Sequence, residues 1–319
     1  MLELKGVCKT TDLKKPLTDI NLTAEDGLIT VLLGAEGSGK TLICDIAAGV
    51  TSADAGTVLL DGQATGEGSA QYKKNISYMP EDPSVFRDMT SASLLRFVGQ
   101  TMELSTRLLN EKVESVLKQT GLKEAANVQA RRLPEHYLQR LSLAQAIMGE
   151  ASTIVLDCPG RTGDAKQVQE FRSLLRDAVR GKAVLYATDN VTEARLFGDK
   201  VYVLDEGTIV GSTDMAALAD LEARGEWTLV SAMGDEKPLE EAARAAGYET
   251  RNASRADDTA SISIKTGNGR ENRAKAVKAL VEAGVRLLEV RSEPDSLKEI
   301  IEKMKSSLAL REEEEMKAE

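Results

Sequence analysis

Gly34-Ala35-Glu36-Gly37-Ser38-Gly39-Lys40-Thr41 is the stretch on which the fold turns. A glycine, four residues and then Gly-Lys-Thr is the spacing of a phosphate-binding loop. The flanking sequence agrees: the apolar run from Leu28 to Leu33 predicts a buried strand, and Leu42 to Ala48 predicts a helix start. Glycines let the backbone curl so that its N–H groups converge on an anion at the positive end of the following helix. Residues Gly34 to Leu42 are therefore the expected phosphate cradle, with Lys40 reaching the outer phosphates and the Thr41 hydroxyl on magnesium. The competing interpretation, a plain glycine-rich turn between strand and helix, leaves the Lys-Thr pair unexplained.

Outward from the loop, bulk properties narrow the possibilities. The chain has 319 residues, enough for one full core and a second smaller one. A net charge of −10 speaks against nucleic acid as a partner, and an aromatic fraction of 3% offers few platforms for stacked bases. Cys8, Cys44 and Cys158 lack the short spacings of a zinc site or a disulfide framework, so they read as reduced thiols, with Cys8 and Cys44 as small core fillers. No secretory leader is recognisable. The apolar runs are strand-sized, well short of the roughly 20 residues that span a bilayer. A cytoplasmic chain that meets the membrane only through a partner is the expectation.

The pattern before and after the loop predicts an α/β fold. Residues 2–7, 17–23 and 56–62 read as strands, 91–122 as a helical subdomain with a second helix over 110–120, and 137–149 as an amphipathic helix. A strand over 153–156 ends at Asp157, followed by a helix over 165–180 and a strand over 183–187, an alternation that implies a parallel sheet. After residue 222 the order becomes strand 227–233, helix 238–246, strands 248–253 and 260–265, helix 270–283 and strand 285–290. That β-α-β-β-α-β order predicts a small ferredoxin-like α+β domain over 223–308, after a nucleotide-binding domain over 1–222. A last helix over 296–310 leads into a charged tail, 309–319, carrying Glu312 to Glu315.

With Leu-Thr-Asp-Ile-Asn-Leu at 17–22, Ala-Ala-Gly at 47–49, Asp-Ala-Gly-Thr-Val at 54–58 and Arg-Leu-Ser-Leu-Ala-Gln-Ala at 140–146, the chain resembles the nucleotide-binding subunits of ABC transporters, of the gliding-motility and multidrug-exporter type. The resemblance runs over residues 1 to about 220 and is looser through Leu-Glu-Val-Arg-Ser-Glu-Pro-Asp-Ser-Leu at 288–297. It implies ATP and Mg2+ as cofactors, a transmembrane permease as partner, a second nucleotide-binding subunit in a homo- or heterodimer, and a place on the inner face of the cell membrane. It also implies an ATPase domain in which each nucleotide lies between the phosphate loop of one subunit and a Leu-Ser-Gly-Gly-Gln signature of the other.

At the sites of chemistry the chain departs from that family. The signature segment is Leu133-Pro134-Glu135-His136-Tyr137, so a carboxylate and an imidazole replace the glycines that approach the γ-phosphate. Asp157 matches the magnesium-holding carboxylate. Cys158 stands where the family has the glutamate that polarises water, and a thiol has no carboxylate to accept that proton. Asp189 replaces the histidine that senses the γ-phosphate. Glu81 aligns with a glutamine near magnesium and could still coordinate it, and Thr11 aligns with the aromatic residue that stacks on adenine. Asp164 aligns with the aspartate of an inter-subunit loop, although Arg161-Thr162-Gly163 before it match poorly. A subunit that binds Mg-ATP and hydrolyses it slowly or not at all, with no confident catalytic residue, is the expectation. The alternatives are a slow but working transport ATPase, in which Asp164, Glu81 or Asp189 positions water, and a soluble nucleotide-dependent switch.

Overall fold

The structure is a computed structural model that describes residues 1–10, 16–64, 70–81, 87–102, 105–158, 164–223, 226–267, 269–293 and 295–306. Thr11, the Arg161-Thr162-Gly163 segment and the charged tail lie outside the described residues. The described chain divides into two compact units, 1–215 and 216–306.

In the first unit β1 (Leu2–Lys9), β2 (Leu17–Ala24) and β3 (Ile29–Gly34) lead through the glycine-rich loop into α1 (Lys40–Ala47). Then come β4 (Ala55–Leu60), β5 (Gln63–Ala64), α2 (Ala70–Asn75) and β6 (Ile76–Met79). The helices α3 (Ser91–Gln100), α4 (Thr106–Gln119) and α5 (Glu135–Ala146) follow. The unit closes with β7 (Thr153–Asp157), α6 (Ala165–Ala178), β8 (Ala183–Thr188), α7 (Val191–Phe197), β9 (Lys200–Asp205) and β10 (Thr208–Asp214). A further helix, α8 (Met215–Ala223), comes next.

Two sheets carry these elements. One is antiparallel, in the order β2-β1-β4-β5; the other runs β10-β9-β3-β8-β7-β6, parallel except for its β10 edge. Every residue of β3, β7 and β8 is buried, which is why these strands read as continuous apolar runs instead of alternating ones. Leu4 and Ile20 of the first sheet, Ile43 and Cys44 of α1, and Leu32, Val155 and Leu185 of the second sheet share one core. That shared packing fixes the helix after the phosphate loop. Cys44 is wholly enclosed, and burial pushes its thiol pKa well above the ordinary value, as befits a core filler.

Among the helices, α4 begins at Thr106, about a turn before the expected Asn110, because the Ser105 hydroxyl accepts a hydrogen bond from the Leu108 amide as an N-cap. Between residues 187 and 222 the sequence predicts no element, whereas the chain forms α7 and the start of α8 and, between them, β9 and β10. The last two form a hairpin whose turn residues, Glu206 and Gly207, both have positive φ, 50° and 81°. Two such residues suit the tight turn that matches strand twist.

The second unit orders its strands β12-β13-β11-β14, all antiparallel, from β11 (Trp227–Met233), β12 (Thr250–Ala256), β13 (Thr259–Lys265) and β14 (Leu287–Ser292). With α9 (Glu236–Ala245) after β11 and α10 (Arg270–Glu282) after β13, this is the ferredoxin-like arrangement. Val230, Ala232, Ile262 and Ile264 face Leu239 and Ala243 of α9 and Ala276 and Leu280 of α10. On the opposite face Arg251 lies 4.1 Å over the Trp227 ring and donates a 2.8 Å hydrogen bond to Glu299, which ties down a final helix, α11 (297–306). Ser296 and Glu299 cap that helix reciprocally, each accepting from the backbone N–H of the other. No helix among the described residues is long and apolar enough to cross a membrane.

Candidate functional site

The loop between β3 and α1 has the backbone that phosphate binding needs. Gly37 and Gly39 sit at φ 75° and 106°, where an L side chain would be strained, and Gly39 is the N-cap of α1. The Ser38 amide donates to Ala35 O at 3.1 Å, which closes a tight turn. No side chain caps α1 and no acid sits in its first turn, so the positive end of the helix faces the loop uncompensated. Ala35, Glu36, Gly37 and Thr41 are exposed, whereas Lys40 is buried against the loop. Its Nζ donates to Gly34 O and Ala35 O, each at 2.9 Å, which places the ammonium on the loop axis.

The loop is held by a residue absent from the sequence-level candidates. The Gly207 amide donates to Ser38 O at 3.1 Å, and Gly207 O accepts from the Thr18 amide at 2.9 Å. A Cβ on Gly207 would stand 2.1 Å from Pro16 O, so only glycine lets the β9–β10 turn come this close. Its sequence signal is the Val-Leu-Asp-Glu-Gly-Thr-Ile-Val hairpin pattern at 203–210.

Asp157 ends β7 wholly buried, and neither carboxylate oxygen completes a hydrogen bond of ordinary geometry. Burial raises its pKa; the Thr41 hydroxyl, the Cys158 thiol and the Lys40 charge oppose that rise, and the Glu81 carboxylate adds to it. Thr41 and Glu81, the other expected magnesium residues, thus lie within electrostatic reach of Asp157. An orphaned carboxylate beside a hydroxyl and a second carboxylate is an all-oxygen donor set, suited to a hard cation. Among the described residues no three His, Cys, Asp or Glu side chains gather into a closed metal cage.

The remaining expected chemical positions carry other groups. Cys158 follows Asp157, nearly buried, with its amide donating to Ala187 O at 3.0 Å and φ at 45°. Left-handed backbone at a cysteine costs on the order of 1 kcal/mol and is held only because β7 and β8 dictate it. Glu135 opens α5 after Pro134, with no side-chain cap, and its carboxylate lies in the first turn. His136, expected on a surface turn, is half-buried in that turn and tilts against Tyr137 with ring centroids 4.6 Å apart. Arg140 covers the Tyr137 ring at 5.4 Å. Asp164 accepts from the Gln167 amide at 2.9 Å, and its own amide donates to Gln167 Oε1 at 3.1 Å, a reciprocal cap that commits this carboxylate to starting α6.

Asp189 follows the end of β8, beside a buried acid that the sequence did not single out. Glu193 of α7 accepts from Thr188 Oγ1 at 2.8 Å and from the Tyr186 hydroxyl at 3.4 Å. Burial raises its pKa, opposed by the Thr188 hydrogen bond and the Arg172 charge. A raised folded-state pKa stabilises the fold fully below the ordinary glutamate range, and that stabilisation is lost as pH rises through the folded value. Glu193→Gln mimics the protonated acid. It is expected to melt above wild type at pH 8 and level with it at pH 4.5 in thermal scans; a lower melting point at pH 8 would mean that the ionised form is the favoured one.

The sequence profile of the ABC transporter family matches residues 17–160. YxlF of Bacillus subtilis, described as an uncharacterized ABC transporter ATP-binding protein, is 28% identical over 229 residues, 72% of this chain and 76% of YxlF. The human retinal-specific phospholipid-transporting ATPase ABCA4 is 28% identical over 211 residues, 64% of this chain but 9% of ABCA4, so the match spans about a tenth of that much longer relative. In fold, the chain is similar to the dimeric ATP-binding cassette MJ0796 bound to ADP and Pi, with TM-score 0.62 and 22% identity over 67% of this chain and 99% of that one. It is also similar to cbiO1 from Clostridium perfringens, part of the ABC transporter complex cbiONQ, with TM-score 0.63 and 21% identity over 69% and 90% of the two chains.

Proposed function

The first unit of this chain is an ABC transporter ATP-binding domain, and from that premise we propose that it is a degenerate subunit that binds Mg-ATP and turns it over slowly or not at all. The loop amides and Lys40 hold the β- and γ-phosphates, and Thr41, Asp157 and Glu81 hold the metal ion. Mg2+ bound there would supply neutralisation of the phosphate charge. The observation that carries the proposal is the pair Asp157-Cys158: an orphaned carboxylate fit for a metal, followed directly by a thiol that cannot accept a proton from water as a carboxylate does.

Two further features support it. In a head-to-tail pair the Glu135 carboxylate would occupy the place of backbone N–H donors, so charge repulsion replaces attraction at the γ-phosphate of the opposing subunit. The alternative of a working though slow ATPase needs a substitute water-positioning group, and Asp164 is already committed as the cap of α6. Loss of a general base lowers rates by about 10² to 10⁴, and loss of one donor to developing charge by about 10² to 10³. The subunit then acts as a nucleotide-sensing or structural element beneath a transmembrane permease, paired with a second nucleotide-binding subunit on the inner face of the membrane. Phosphate release in saturating Mg-ATP is expected to lie within about threefold of a Lys40→Ala blank. A Lys40-dependent turnover near 1 s⁻¹ or faster, within the ordinary range of enzymes, overturns the proposal.

A further inference from the structure

β14 is an edge strand of the second unit whose outer side matches a copy of itself, and we propose that two copies of this chain pair antiparallel through it, joining two four-stranded sheets into one of eight strands. The backbone sets the register. The Glu293 amide donates to Trp227 O at 3.0 Å, so residues 227 and 293 form a hydrogen-bonded pair of the β11–β14 ladder. Alternation along the ladder then turns the backbone polar groups of Arg291 and Glu289 toward β11 and those of Val290 and Ser292 outward. Outward groups at 290 and 292 bond an antiparallel copy when the two-fold axis passes through Val290, with Ser292 facing the partner's Leu288.

Side chains select the same register. With Val290 on the axis, Glu289 stands opposite the partner's Arg291 and Arg291 opposite the partner's Glu289, in the closely spaced pairs where side chains interact most strongly. Within one copy the two are exposed, and Arg291 Nε lies 3.8 Å from Glu289 Oε1, so dimerisation turns one weak pair into a square of four alternating charges. An exposed aliphatic group, Leu288, lies on the strand itself, and Arg273 of α10 donates to Ser292 Oγ at 3.1 Å. The register shift at Leu288 ends the regular ladder there, which confines pairing to a short, self-complementary segment. The opposite edge lacks these properties. β12 carries Arg251 and Arg255 with no acid, and Arg251 is committed to Trp227, Glu293 and Glu299. An isologous contact about one axis closes at two copies.

Charge reversal at the two exposed positions tests this in the full-length, nucleotide-free protein, so the outcome is independent of ATP binding. Sedimentation equilibrium of wild type is expected to show a monomer–dimer equilibrium. Glu289→Arg, which places like charges opposite each other in both pairs, is expected to weaken it about tenfold or more, and Arg291→Glu to do the same. An equimolar mixture of these two variants restores opposite charges at both pairs and is expected to dimerise as wild type does, as is the double variant Glu289→Arg/Arg291→Glu. Wild type that stays monomeric to about 100 μM, far above a micromolar dissociation constant, or single variants that dimerise unchanged, or a mixture no tighter than its components, overturns the proposal.

Discussion

Affinity for ATP is expected to fall at least 100-fold in Lys40→Ala, as measured by titration of the purified full-length protein with a fluorescent ATP analogue in the presence of Mg2+. The ammonium is buried against the loop and spends two of its three N–H groups on Gly34 O and Ala35 O, which fixes it at the loop axis with little entropy left to lose. A preplaced cation meeting a phosphate in a site of reduced dielectric gains a charge-assisted hydrogen bond of about 1.5–3 kcal/mol and a Coulombic attraction beyond it. Together these make roughly 3 kcal/mol, or about 100-fold in affinity. Alanine also leaves two loop carbonyls without their donor, so the cradle is looser as well as less positive. Analogue binding in Lys40→Ala within threefold of wild type would place the nucleotide elsewhere.

Features whose chemistry is local were legible in the sequence. A phosphate loop needs its glycines, lysine and threonine within eight consecutive residues, so Gly34 to Thr41 announced the tight glycine turn and the strand and helix that flank it. The ferredoxin-like order was legible because Gly247 and Gly284 stop the helices and period-two alternation marks the strands. What long-range packing decides was less visible. Gly207 reads as an ordinary hairpin glycine until the fold brings it against Ser38 and Pro16. Glu193 looks like a solvated helix acid, yet α7 lays it against Tyr186 and Thr188. Asp164 carries the same letter for a cap as for an inter-subunit contact, and the reciprocal bonds with Gln167 show that it serves as the cap.

Asp157→Asn is expected to do two opposite things: to stabilise the nucleotide-free protein and to abolish the stabilisation that Mg-ATP gives beyond ATP alone. The carboxylate is wholly enclosed at the end of β7, neither oxygen completes a hydrogen bond of ordinary geometry, and its pKa is raised chiefly by burial, which the Thr41 hydroxyl opposes. Ionising it in the folded state therefore costs more than in the unfolded chain, a penalty that is absent below the ordinary aspartate range and complete above the raised value. An amide of the same shape avoids that penalty, so at pH 7 the variant is expected to gain about 1–3 kcal/mol in urea unfolding, with the gain shrinking as pH falls toward 4. Mg2+ reverses the balance, because a divalent cation satisfies the orphaned oxygens and a neutral amide binds it far more weakly. Wild type is thus expected to melt higher with Mg-ATP than with ATP and a chelator, whereas Asp157→Asn shows no such difference. A loss of stability in the nucleotide-free variant would mean that the carboxylate is already paired in the folded protein. The site would then be a finished structural contact in place of one waiting for a metal ion.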